Sequence, residues 1–142
     1  MFVRKLASCF GGLVVTYWLL LAHVSLNFLD EKPPVSIESD DGKYKVYLKS
    51  VYPVNPIGIY CLFAKEWAPK YFVLYGSNGD YIGQSSPFAC YWPWSNAGFI
   101  FPGEATGLDK DSFLVLDDEY DGEFSISTTH KRWWSLLFGV FH

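Results

Sequence analysis

Five carboxylates crowd one short stretch: Asp117, Asp118, Glu119, Asp121 and Glu123, with Gly122 among them. Hard oxygen donors beside a glycine turn are the ligand type calcium takes, but the spacing is not that of the twelve-residue EF-hand loop. The same charges can act without a metal. Glu104, Asp109 and Asp111 precede them, and only Lys110 opposes them. Such a face can steer a basic protein partner toward the domain. The plainer alternative is a solvated turn between strands.

Catalytic groups are sparse. The three histidines are His23, His130 and His142. They lie far apart, and no nucleophile elbow, paired zinc spacing or phosphate-binding glycine loop accompanies them. An enzyme is therefore not expected, and neither is a cofactor. Gly58-Ile59-Tyr60 and Tyr81-Ile82-Gly83 spell the two triplets that name the GIY-YIG endonucleases. That reading fails on context. Too many residues separate the triplets, and no basic residue occurs from Gln84 to Phe101. An Asn-Gly hairpin turn explains Asn78 to Gly83. The net charge of -4 also argues against nucleic acid, whose phosphates demand Lys and Arg.

Aromatic residues make up 20% of the chain, and two clusters stand out. Tyr91-Trp92-Pro93-Trp94 is either core or an anchor for a protein partner, with Trp92 and Trp94 as the contact residues. Lys131-Arg132-Trp133-Trp134 has a similar ambiguity. Two bases at a helix start oppose its dipole. Anionic headgroups at a membrane interface would favour them, and core packing with two solvated bases is the alternative.

These residues hang from an apolar start. Arg4 and Lys5 lead into an uncharged run of 24 residues, Leu6 to Leu29. About 20 residues cross a bilayer as a helix. His23, Ser25 and Asn27 weaken its last turn, which would lie near the far headgroups. All fifteen acidic residues lie from Asp30 onward. Basic residues before the run place the N-terminus in the cytoplasm and the rest outside it. A cleaved signal peptide competes, with Leu20-Leu21-Ala22 as its best, poor site. Leu6-Ala7-Ser8-Cys9 spells a lipobox in the wrong order, so Cys9 reads as an ordinary membrane-helix residue. Cys61 and Cys90 fall in the exported part, where a disulfide can persist. They are either bridged or two buried free thiols.

The segmentation is then 1–29 cytoplasmic start and transmembrane helix, 30–42 linker, and 43–142 periplasmic domain. Lys43 to Lys49 alternates as a half-buried strand. Ile57 to Ala64 is a short apolar helix or strand. Tyr71–Tyr75 and Tyr81–Gln84 form a hairpin around Asn78-Gly79. Phe99–Phe101, Phe113–Leu116 and Phe124–Ser127 are further strands. A closing helix, capped by Thr128 or Thr129, carries a stripe of Trp133, Leu137, Val140 and Phe141. The fold class is α+β: a transmembrane helix, then a mostly antiparallel sheet of five or six strands with a C-terminal helix packed on it.

The basic start with its membrane helix, Ser39-Asp40-Asp41-Gly42-Lys43-Tyr44, Asn78 to Phe88, Ile100-Phe101-Pro102 and His130 to Ser135 together carry a resemblance. The chain resembles an uncharacterised proteobacterial family of short membrane-anchored proteins, domain of unknown function 6201. The resemblance implies a bacterial inner-membrane protein and supplies no activity. The functional expectation is non-enzymatic binding in the periplasm, on the pattern of an immunity protein that captures a toxin. A small accessory subunit of an envelope complex is the alternative. The expected partners are the lipid bilayer through residues 6–29 and a protein.

Overall fold

A computed structural model describes residues 2–25, 34–64, 69–92, 98–104, 110–116 and 122–142. The apolar start is helix α1, Phe2–Leu21. Nothing charged or Pro-like interrupts it after Lys5, and the Thr16 hydroxyl is satisfied internally, its Oγ1 donating to Gly12 O at 2.9 Å. The helix stops earlier than the uncharged run. Ala22–Val24 form a 3-10 turn, and Leu21, Ala22, His23 and Val24 are all buried. Ser25 Oγ closes the end by donating to Leu21 O at 3.2 Å. Burial against the folded domain wins over continued helix, because it removes Leu21 and Val24 from solvent. Residues 26–29 lie outside the described residues.

Seven strands follow among the described residues, in two sheets rather than one. The first sheet has the order β1 (Val35–Glu38), β2 (Tyr44–Ser50), β3 (Lys70–Gly76), β4 (Tyr81–Gln84), all antiparallel. The expected linker 30–42 is thus structured at its end, because β1 pairs Val35 with Leu48 and Glu38 with Lys45. The second sheet is β5 (Phe99–Ile100), β6 (Ser112–Val115) and β7 (Ile126–Ser127). The apolar run after Pro56 resolves as helix α2, Pro56–Ala64, and a short α3 spans Trp133–Phe138. At the Asn78-Gly79 turn Gly79 has φ +86°, which only glycine adopts without strain.

Strand β3 is the centre. Tyr71, Phe72, Val73 and Leu74 are all fully buried, so neither face meets water. Side chains alternate across a strand, and here each face has its own core. Phe72 and Leu74 pack with Val46, Leu48, Phe113, Phe124 and Ile126 between the two sheets. Tyr71 and Val73 pack on the other face with Leu21, Val24, Cys61, Cys90, Trp134 and Phe138. The architecture is three layers: small sheet, large sheet, helices.

The closing helix differs from expectation in cap and in face. Arg132 occupies the N-cap position without a side-chain bond. Thr128 Oγ1 instead donates to Asp111 O at 2.8 Å, tying the chain to the β6 entry. The buried face is Trp134, Ser135 and Phe138, whereas Trp133, Leu137, Val140 and Phe141 are exposed. The polar backbone at the end of β4 decides this. Ser135 Oγ accepts from Gln84 N at 3.1 Å and donates to Gln84 O at 3.0 Å, and Trp134 Nε1 donates to the same carbonyl at 3.1 Å. A buried backbone pair left unsatisfied would cost more than turning an apolar stripe outward.

Phe72 is the ring on which the inter-sheet core converges. Its centroid lies 4.7 Å from Tyr91, 5.6 Å from Phe113 and 5.7 Å from both Phe99 and Phe124. Phe72→Ala is expected to cost about 3–5 kcal/mol of stability. Chemical denaturation of the full chain in detergent measures it; a loss below about 1 kcal/mol would refute this ring as the organising contact.

Candidate functional site

Two places gather polar groups: the seat of α1 in the domain, and an open groove on the large sheet. The seat is built on Asn55. This residue precedes Pro56, whose fixed φ and missing N–H suit the first helical position. Asn55 is the N-cap of α2: its Oδ1 accepts from Gly58 N at 2.8 Å and its backbone carbonyl from Ile59 N at 3.0 Å. The amide nitrogen faces the opposite way. It faces Trp18 O at 2.8 Å and Leu19 O at 3.0 Å, two carbonyls in the last turn of α1, where helical bonding runs out. One fully buried amide therefore closes the start of α2 and the end of α1 together.

His23 completes the seat. Its side chain is fully buried within the domain. His23 Nε2 faces Pro87 O at 2.6 Å, and a carbonyl only accepts, so the ring proton sits on Nε2; Nδ1 is left to accept from Asn55 Nδ2 at 3.0 Å, whose two N–H groups are shared among this ring and the two α1 carbonyls. Backbone contacts add to this, with Tyr52 N donating to His23 O at 2.9 Å. Gly58 makes the approach possible. A Cβ there would stand 2.0 Å from Tyr52 O and 2.8 Å from His23 Cβ. A few residues on, Cys61 of α2 pairs with Cys90 in a disulfide, with a Cα separation of 5.7 Å. The loop it closes spans a separation of 29 residues, a constraint of about 3–4 kcal/mol in the chain-entropy model.

The groove lies on the helix-side face of the large sheet, beyond the reach of the helices. It holds about 570 Å³ between Glu38, Lys45, Tyr47, Lys49 and Tyr75. Tyr47 and Tyr75 meet edge to face at 5.4 Å. Lys45 Nζ sits 5.6 Å from the Tyr47 centroid and pairs with Glu38 at 2.7 Å. Lys49 Nζ is 5.9 Å from the Tyr75 centroid. At the rim His142 stacks on Tyr81 at 4.6 Å, and its Nδ1 and the Tyr75 hydroxyl share a hydrogen bond at 2.6 Å. Burial, followed by the charge of Lys49, pushes the His142 imidazole down to about 4. Burial, with a smaller contribution from Tyr47, pushes the Tyr75 phenol up to about 12. Both groups are thus uncharged near neutrality. Two aromatic edges and two cations make a surface for a protein or an anionic group, without a nucleophile aligned to a base.

Of the residues singled out in the sequence, those among the described residues do not gather into one site. Asp117, Asp118, Glu119, Asp121 and Trp94 lie outside the described residues. Glu123 is half-buried and pairs with Arg132 at 3.4 Å. Trp92 is half-buried with its indole nitrogen turned inside. Lys131 and Arg132 are exposed, and the Arg132 guanidinium lies 5.1 Å from the Trp134 ring. Trp133 is exposed, but Trp134 belongs to the core and cannot touch a lipid surface. Among the described residues no cluster of three His, Cys, Asp or Glu side chains can hold a metal ion.

A model of a family of unknown function, DUF6201, matches residues 3–138. The chain belongs to this family. The match takes in α1 as well as the domain, which agrees with a helix seated in the fold. No curated protein and no solved structure matches the chain.

The seat yields a prediction. Asn55→Asp keeps the volume and the N-cap acceptor but removes every donor to α1 and His23. It is expected to cost about 2–4 kcal/mol, because buried carbonyls lose their partners and a charge enters the interior. Asn55→Ser, a good N-cap without the reach, should cost nearly as much. Thermal unfolding of the full chain in detergent checks both; a wild-type midpoint for Asn55→Asp would refute the seat as drawn.

Proposed function

We propose that this chain is an uncleaved, single-pass inner-membrane protein whose domain faces the periplasm and acts by binding another protein. One observation carries the reading. The last residues of the apolar helix are core residues of the domain: Leu21 is 6% exposed, His23 0% and Val24 1%. A removable leader contributes nothing to the core of the mature fold. Cleavage after Ala22 would strip away Leu21 and the carbonyls that Asn55 caps, and would leave a charged amine on a buried histidine. The helix is also long and apolar enough to cross a membrane, from Val3 to Val24.

Charge and redox chemistry support the side chosen. Arg4 and Lys5 favour a cytoplasmic N-terminus. The Cys61–Cys90 disulfide suits an oxidising compartment. Binding rather than catalysis is supported by the kind of surface on offer. The groove presents tyrosines and lysines, and the sequence adds the acidic stretch from Asp117 to Glu123. The concrete form we favour is immunity-like: the domain waits at the membrane surface and captures an incoming basic toxin. Anchoring suits that task, since it holds the binder at the place of entry.

Two outcomes test this. An epitope placed before Met1 should remain on the mature membrane protein, and a reporter that works only in the periplasm should be active after His142. Loss of the epitope, or a silent reporter on an expressed membrane-bound fusion, would overturn the anchor and the topology respectively.

The binding arm is separate. If a toxin gene lies beside this one, its product should bind the full chain in detergent. Reversing Asp117, Asp118 and Asp121 to Lys should slow association about tenfold or more and flatten its salt dependence. An unchanged on-rate would remove the acidic stretch as the steering face.

A further inference from the structure

We infer that the domain is sunk into the outer leaflet, with α2 and the C-terminal segment forming an apolar collar around the exit of α1. The inference rests on the membrane-spanning reading and adds a second membrane contact to it. Three observations lead there.

The first is a length. From Leu6 to Leu20 the helix rises about 22 Å, and from Val3 to Leu20 about 27 Å, at about 1.5 Å per residue. The hydrocarbon core is about 30 Å thick. Leu21 to Val24 cannot supply the difference, because their side chains are packed inside the domain. The exposed helix alone is therefore too short, and the missing few ångströms must come from whatever surrounds its end.

The second is what surrounds it. α2 starts at Asn55, which holds the Trp18 and Leu19 carbonyls, and the Phe141 ring lies 6.3 Å from the Tyr17 ring. Both segments thus stand beside the last exposed turns of α1 and not beyond them. The third is their chemistry. No charged residue occurs from Pro56 to Ala64 or from Trp133 to Phe141. Each turns large apolar side chains outward: Tyr60 is 66% exposed, Phe63 69%, Leu136 61%, Val140 82% and Phe141 59%. The outward stripe of the closing helix, which packing within the fold leaves unexplained, acquires a partner in the acyl chains. Interfacial helices sink their apolar face about 5–10 Å into the headgroup and acyl boundary, a depth that covers the shortfall. Lys131 and Arg132 then stand at the start of α3, where headgroup phosphates complement them.

The test uses the full chain, with Cys9→Ser and the native disulfide kept, in vesicles of phosphatidylethanolamine and phosphatidylglycerol. Nitroxides are attached to Phe10→Cys, Lys43→Cys, Phe63→Cys and Val140→Cys, one at a time. Collision with oxygen, which partitions into lipid, is compared with collision with a water-soluble nickel complex. The labels at positions 63 and 140 should resemble that at 10, with an oxygen-to-nickel ratio several-fold above that at 43. A water-exposed label at either 63 or 140, with 10 still in lipid, would overturn the collar and leave the anchor standing. A water-exposed label at 10 would overturn both. Labels at 63 and 140 shielded from both reagents would mean that protein, such as a second copy of this chain, covers the face, and would overturn the collar as well.

Discussion

The arrangement depends on one buried amide. An apolar helix that ends inside a domain brings its last carbonyls with it, and in a folded interior these must find donors. Asn55 supplies them to Trp18 and Leu19 while its oxygen caps the next helix. The Pro87 carbonyl sets the His23 tautomer, and the same amide meets the other ring nitrogen. Gly58 lets α2 approach closely enough for this to happen, and the Cys61–Cys90 bridge fixes the other side of the same helix. The apolar helix and the domain are thus one folding unit, not a body on a tether.

The layered core follows from a single strand. β3 is buried on both faces, so it is a continuous apolar run with no polar alternation. One face organises aromatic rings around Phe72, and the other receives the end of α1, α2 and α3. The helices cover only part of that second face. The uncovered part is the tyrosine and lysine groove, which remains open because β1 and β2 extend past the helical layer. A rigid strand that carries core on one side and surface further along suits a binding scaffold, since the surface inherits the order of the core.

Two kinds of exposed surface result. The apolar one rings the exit of the helix, and the polar one occupies the sheet at Lys45, Tyr47 and Lys49. In the proposed reading, the first meets lipid and the second a protein. In that reading the acidic stretch adds charge to the second task, and Glu123 at its end pairs with Arg132.

The sequence by itself determined the local elements. Alternation in Lys43 to Lys49, the Asn78-Gly79 turn and the uncharged run after Lys5 are near-neighbour properties, and each became the expected strand, hairpin or helix. Asn55-Pro56 is a helix-start signal too, one that the reading of Ile57 to Ala64 as helix or strand did not use, although N-cap chemistry acts over only three or four residues. Whatever required partners far along the chain was not legible. His23 reads as a blemish in a membrane segment until Asn55 and Pro87 stand beside it. β1 hides in a polar, proline-bearing stretch because its pairing with β2 provides the stability, not its composition. The outward stripe of α3 misleads for the same reason: periodicity names two candidate faces, and the unsatisfied backbone of Gln84 selects between them. Burial and hydrogen-bond satisfaction are properties of the assembled fold, and only the tertiary structure could decide them.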